Sequence, residues 1–353
     1  MSLHEYLTEL LAIESPTFHE DKINAFIEQD LKLCHPTFLE RSNDGVICQF
    51  KSNPNNPTLA FIGHTDVVPV HVTPHIKHDR LYGAGASDMK GGLAAGIYFV
   101  KEFKQRLLER FNITLVAYSR EEGTAVTDNG LFALLNTYKT IFSEIDCAIV
   151  GEPTDNAIQL GCVGSVHAVV TILGKEAHSA RPWHGENALY KALPLMNEIS
   201  KFEPVIDRVR HLEFKEVLSI TECDVPRGRT TIPGSIRLNI NYRFGPSRSE
   251  SDACAYLNQI IQASGIRDME IDIIDVSPAA ALLSSELFER ILLGIGTKIE
   301  AKQAWTDVAQ LSRAGIPAFN FGPGQQSQAH KSDEYISLSF LEEYYSLLMK
   351  ALL

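Results

Sequence analysis

Apolar residues recur at helical spacing over 3–13 (Leu3, Tyr6, Leu7, Leu10, Leu11) and over 20–33 (Ile23, Phe26, Ile27, Leu31), predicting two amphipathic helices at the start of the chain. Short apolar runs at 46–50, 58–62, 113–117 and 147–150 predict strands. Between them fall a helix over 89–107, small residues first and charged residues after, and another over 128–139. Strands alternating with helices predict an α/β architecture with a largely parallel sheet. Near Gly161 the rhythm changes. Strands are predicted at 166–173, 216–222, 235–244 and 270–276, with helices over 186–201 and 250–263, an α+β block of antiparallel character. After Ser277 the first pattern resumes, with helices near 285–295 and 307–314, a strand at 318–321 and a last helix over 338–352. The expected organisation is one α/β domain, residues 1–164 and 277–353, interrupted by an α+β domain of residues 165–276.

Composition narrows the function classes. The 353 residues are 44% hydrophobic and 22% charged, as in ordinary globular domains. Asp plus Glu (44) exceeds Lys plus Arg (32), and the net charge of −12 argues against nucleic acid and anionic membrane as partners. No apolar run approaches the ~20 residues of a membrane span. Met1-Ser2-Leu3-His4-Glu5 carries acid where a signal peptide carries base. The six cysteines (34, 48, 147, 162, 223 and 254) lie far apart without a CxxC pair. Free thiols in a reducing cytoplasm are the expectation.

Five segments carry chemistry. Gly63-His64-Thr65-Asp66 follows a predicted strand, where sites of open α/β sheets gather. An Asp beside a ligating His is the arrangement that fixes the ring's tautomer. The glycines of Gly83-Ala84-Gly85-Ala86-Ser87-Asp88 fail the spacings of nucleotide loops and instead present Asp88 at a helix start. Glu121 and Glu122 stand side by side after a strand, a repulsion that a metal cation offsets while one carboxylate stays free as a general base. Glu152 ends a fourth buried strand, and a Gly/Pro loop delivers His330 late in the chain. Two imidazoles and several carboxylates without thiolate suit zinc, cobalt or manganese. A metal pair about 3.5–4 Å apart needs a bridging carboxylate, and Asp88 is the natural one. The remaining histidines, among them His71, His75, His78 and His184, read as surface residues.

In this order the segments resemble the M20 metallopeptidase/deacylase family: Gly63 to Pro69 for GHxDxVP, Gly83 to Gly92 for GxGxxDMKGG, Glu121 to Gly123 for EEG, and Gly151 to Thr154 for GEPT. The resemblance covers essentially the whole chain. Further segments are similar to the family's desuccinylase branch in its actinobacterial form: Ala177 to Trp183, Asn241 to Phe244, Trp305 to Val308, Gly315 to Gly322 and Ala329 to Lys331.

The resemblance implies a zinc-peptidase-like catalytic domain with a mixed, mostly parallel sheet, and an inserted domain that dimerises and acts as a lid. It implies two divalent metal ions, zinc first and cobalt or manganese next. Asp88 would bridge them, His64 and Glu152 would complete one and Glu122 and His330 the other, while Asp66 would orient His64. Glu121 would be the general base to a metal-activated water, and His178 would reach the partner subunit's site to stabilise the oxyanion. Arg181, Arg243 and Thr306 would bind a small anionic N-acyl amino acid. The implied activity is release of succinate from N-succinyl-LL-2,6-diaminopimelate by a homodimer, with acetylornithine or another N-acyl amino acid as the alternative. Two stretches depart from the family pattern, Thr230-Thr231-Ile232-Pro233 and the glutamines Gln325, Gln326 and Gln328. Both bear on specificity rather than on the metals.

Overall fold

The computed structural model describes every residue except Val70, His71 and Arg227. The reading of His71 as a surface residue therefore lies outside the described residues, while His75, His78 and His184 are exposed. The chain forms two compact units, one of Met1–Gly161, Leu282–Glu300 and Thr306–Leu353, the other of Cys162–Ala281 with Ala301–Trp305. The patterning assigns residues 301–305 to the first domain, but they group with the second unit. The Gln303 side chain accepts the Lys215 N–H at 3.0 Å, and Trp305 Nε1 donates to the Pro278 carbonyl at 3.0 Å.

The first unit is built on an eight-stranded sheet in the order Phe38–Ser42, Gly45–Phe50, Asn112–Tyr118, Thr58–His64, Ile145–Val150, Ala318–Asn320, Ile158–Leu160, Ile299–Ala301. The four central strands run parallel, and the hairpin Phe38–Ser42/Gly45–Phe50 adds antiparallel strands at one edge. Thr58–His64 and Asn112–Tyr118 are buried at every residue, so they read as unbroken apolar runs rather than alternating ones.

The helix Lys90–Leu108 packs on Thr58–His64, and its small residues permit a close approach. A Cβ at Gly92 would lie 2.0 Å from the Gly151 carbonyl oxygen. This contact brings the helix start, and Asp88 just before it, against the ends of the central strands. The helix expected over 128–139 is two, Gly130–Thr137 and Lys139–Ser143, separated by the non-helical Tyr138. The strand Phe38–Ser42 and the small sheet of His75–Lys77, Arg80–Tyr82 and Tyr335–Ser337 have no counterpart in the sequence prediction. They are short and polar, and pairing across the fold makes them strands.

The second unit is a five-stranded antiparallel sheet in the order Val205–Val209, Leu212–Asp224, Ser235–Phe244, Gly164–Leu173, Met269–Ser277. The helices Ala188–Ser200 and Glu250–Ala263 enclose a core of Val166, Val170, Leu195, Leu238, Leu257 and Ile261. The alternating positions His167, Asn239, Asn241 and Arg243 form a hydrogen-bonded polar row. Among the described residues no helix is long and apolar enough to cross a membrane.

Candidate metal centre

Parallel strands ending together bring distant residues to one place. His64 closes Thr58–His64, Glu121 and Glu122 follow Asn112–Tyr118, and Glu152 follows Ile145–Val150. Asp88 precedes the helix Lys90–Leu108, and His330 follows the 3-10 turn Gln326–Gln328. His64 Nε2 lies 3.4 Å from Asp88 Oδ1. His330 Nε2 lies 3.0 Å from Glu122 Oε2 and 3.7 Å from Asp88 Oδ2. His64, Asp88 and Glu122 each offer a ligand atom within 4.8 Å of the others.

The strand stops at His64, so Asp66 reaches the site from the following turn. His64 Nδ1 meets the backbone carbonyl of Asp66 at 2.9 Å, with the Asp66 carboxylate at 3.5 Å. That carboxylate accepts the backbone N–H groups of Glu121 (3.0 Å) and Glu122 (2.9 Å), and the Thr17 hydroxyl (3.0 Å). Asp66 therefore orders the Glu121–Glu122 turn as well as standing beside His64.

The site's electrostatics ask for a cation. Burial pushes the Glu121 carboxyl well above the usual carboxylate range; charged His64 opposes this, and Glu122, Glu152 and Asp307 add to the rise. Burial disfavours protonated His64, but the Asp66 and Asp88 carboxylates outweigh it and raise its pKa well above the ordinary value. The Glu122 hydrogen bond, against partial burial, lifts His330 to about 9. His64 Nε2 is buried without a hydrogen-bond partner. An orphaned imidazole nitrogen facing carboxylate oxygens is a donor set that fits a divalent metal.

Three charged groups that the sequence did not single out are buried in the first unit. Glu334, four residues after His330, is buried and accepts the N–H groups of Gly85 (2.7 Å), Ser87 (2.8 Å) and Asp88 (2.9 Å). Lys90 is buried and donates to the Ile13 carbonyl at 2.9 Å, and burial brings its pKa down to about 8. Asp307 is fully buried beside Thr306. An acid in a polar loop or after a Trp-Thr pair looks solvated in sequence, so only the fold reveals these roles.

Thr306 is buried in the first unit, while His178, Arg181 and Arg243 belong to the second. His178 and Arg181 are exposed there. The half-buried Arg243 donates from Nε to Asn241 Oδ1 at 2.9 Å, and burial lowers its pKa. Thr230 accepts the Ser179 N–H through its carbonyl at 2.8 Å. Gln325 accepts the Ser337 N–H at 3.2 Å and Gln326 donates to Asp155 at 2.8 Å, so two of the three glutamines serve the fold; Gln328 is buried.

This fold and site are those of a metallohydrolase acting on amide bonds. The chain belongs to peptidase family M20/M25/M40, whose sequence model matches residues 60–353. A Corynebacterium glutamicum protein named succinyl-diaminopimelate desuccinylase is 30% identical over 351 residues, covering 97% of this chain and 94% of that protein. A Staphylococcus aureus tripeptidase superposes with a TM-score of 0.80 at 18% identity, covering 99% of this chain and 96% of the other. A Bacillus subtilis dinuclear metal-binding peptidase of the M20 family superposes at 0.71 with 13% identity, covering 99% and 98%.

Proposed function

We propose that this metallohydrolase releases succinate from N-succinyl-LL-2,6-diaminopimelate. The observation that carries the reading is the near-full-length likeness to the Corynebacterium glutamicum desuccinylase, joined to a strand-end cluster in which His64, Asp88 and Glu122 each offer a ligand atom within 4.8 Å of the others and His330 meets Glu122. His64, Glu152 and Asp88 are proposed to hold one divalent ion, and Glu122, His330 and Asp88 a second. Zinc is the first expectation, then cobalt or manganese. Such ions supply a water of lowered pKa and polarise the scissile carbonyl.

Every other task falls to the chain. Glu121, beside the ligand Glu122, takes the proton from the attacking water and returns it to the leaving amine. Asp66 holds the N–H groups of both glutamates and so sets where the Glu121 carboxylate lies. We assign His178 as donor to the developing oxyanion, a role whose loss costs about 10²–10³ in rate. Arg181, Arg243 and Thr306 are the proposed groups for the substrate's carboxylates and polar atoms. Arg243 donates from Nε to Asn241, and its planar guanidinium is a fork suited to a carboxylate. A homodimer formed through the second domain is the proposed assembly.

The test is hydrolysis of N-succinyl-LL-2,6-diaminopimelate by chelator-stripped protein before and after zinc is returned, with acetylornithine alongside. Zinc-restored release of succinate is the expected result. Acetylornithine turned over in its place would overturn the substrate, and wild-type turnover by Glu121→Ala would overturn the base.

A further inference from the structure

The residues that carry Glu121 and Glu122 form a loop closed at its neck. It leaves the sheet after Tyr118, the last residue of Asn112–Tyr118, and ends at Asn129, which caps the helix Gly130–Thr137. The neck is drawn tight by the Gly130 N–H, which donates to the Ser119 carbonyl at 2.8 Å. A Cβ at Gly130 would lie 2.4 Å from that same oxygen, so only glycine permits the closure. Directly at the neck sits Asp307, from another part of the sequence. Its carboxylate accepts the Tyr118 hydroxyl at 2.5 Å and the Asn129 amide at 3.2 Å, one from each strand of the neck. A third hydrogen bond comes from the Gln310 amide.

Asp307 and Tyr118 are 0% exposed and Asn129 is 1% exposed. All three partners of the carboxylate are neutral. A buried carboxylate whose hydrogen-bond partners are all neutral is costly to desolvate. Stability alone does not explain a carboxylate here. What it gains is geometric, because a single acceptor locks the residue entering the loop and the residue leaving it.

We infer that Asp307 is a positioning residue, whose carboxylate clamps Tyr118 and Asn129 and thereby fixes the loop that presents Glu121. Asp66 orders the tip of that loop through the Glu121 and Glu122 N–H groups, and Asp307 fixes its root. The inference rests on Glu121 being the base. A base displaced by about 1 Å costs on the order of 10² in rate, so a clamp of this kind acts on turnover rather than on substrate affinity.

The experiment compares Asp307→Asn, Tyr118→Phe, the double variant and Glu121→Ala, all as the full-length zinc-loaded protein. Asp307→Asn places a donor where donors converge, and Tyr118→Phe removes only one hydroxyl. We expect kcat to fall about tenfold to a hundredfold in Asp307→Asn. KM and bound zinc should stay at the wild-type level. The double variant should be no worse than Asp307→Asn alone, because both changes open the same clamp. Amide hydrogen exchange, which needs no turnover, should accelerate across 119–128 in both single variants and not elsewhere in the first unit.

Wild-type kcat and wild-type exchange in Tyr118→Phe and Asp307→Asn would overturn the inference. So would exchange that rises evenly over the whole first unit, the mark of a merely structural role. If Asp307→Asn does not fold, Tyr118→Phe decides alone. If Glu121→Ala keeps full turnover, the base reading fails, and the exchange data still report whether the clamp exists.

Discussion

Glu334 accepts the backbone N–H of Asp88 at 2.9 Å, and the same carboxylate takes those of Ser87 and Gly85. One side chain thus ties the loop that bears His330 to the loop that bears Asp88. The two residues sit far apart in sequence and share no secondary-structure element, yet this contact joins the segments that carry both candidate ligands. Replacing Glu334 by Gln leaves one backbone N–H facing an amide donor. Zinc affinity of the chelator-stripped protein should fall about tenfold to a hundredfold, as for other groups that hold ligands in place. Calorimetric zinc titration of Glu334→Gln measures it, and wild-type affinity would show that the Asp88 loop holds itself.

Metal removal should be read in stability as well as in rate. The donor cluster masses carboxylates around two imidazoles, so an ion bound there stabilises the folded state by mass action. At a free zinc concentration about 100 times Kd the gain is about 2.7 kcal/mol. Calorimetric melting of stripped protein with and without zinc checks this. His64→Ala should lose most of the zinc-dependent rise in Tm.

Close packing of the helix start on the sheet makes Gly92 sensitive. A Cβ there would lie 2.0 Å from the backbone oxygen of Gly151, which cannot swing aside as a flexible side chain could. Gly92→Ala should cost at least about 1–3 kcal/mol. Gly265, with φ +73° and nothing within 4 Å of its added Cβ, should cost only about 1 kcal/mol on the same change, from backbone strain. Urea unfolding of the two variants compares them.

The second unit carries its own pH dependence. Glu216 is buried and accepts the Tyr242 hydroxyl (2.7 Å), the Gly245 N–H (3.1 Å) and two Arg248 nitrogens (3.1 and 3.0 Å). Burial alone would raise its pKa, but Arg248, Tyr242 and Gly245 outweigh it and hold the group below its ordinary 4.5. A depressed carboxylate contributes stability that is fully present above its unfolded pKa. It is lost as pH falls from about 4.5 through the lower folded value. Glu216→Gln should destabilise the unit by about 2–3 kcal/mol at pH 7 and should flatten this acid loss. Unfolding of both proteins between pH 7 and about pH 3 checks the sign.

The helices and the buried parallel strands follow from the pattern because their apolar positions are periodic or continuous over many residues. Leu3–Ala12, Asp21–Lys32, Ser235–Phe244 and Glu250–Ala263 each repeat one rule long enough to be read locally. Phe38–Ser42, His75–Lys77, Arg80–Tyr82 and Tyr335–Ser337 carry no such repeat. They are strands because a partner edge is near, and a partner is not written in the local sequence.

The candidate site divides the same way. By itself the sequence determined that two imidazoles and several carboxylates stand at the ends or starts of predicted elements or, for His330, in a late Gly/Pro loop, in an order that resembles one family. Residue type and local spacing suffice for that, because a strand end or a helix start is a local event. Only the tertiary structure decided which of those groups meet, and at what distances. It turned Asp66 toward the Glu121 and Glu122 backbone as well as His64, and it gave Glu334 the Asp88 loop and Asp307 the neck at Tyr118 and Asn129. These are contacts between residues remote in the chain, created when strands align and a glycine-lined helix closes on them, and no local pattern encodes them.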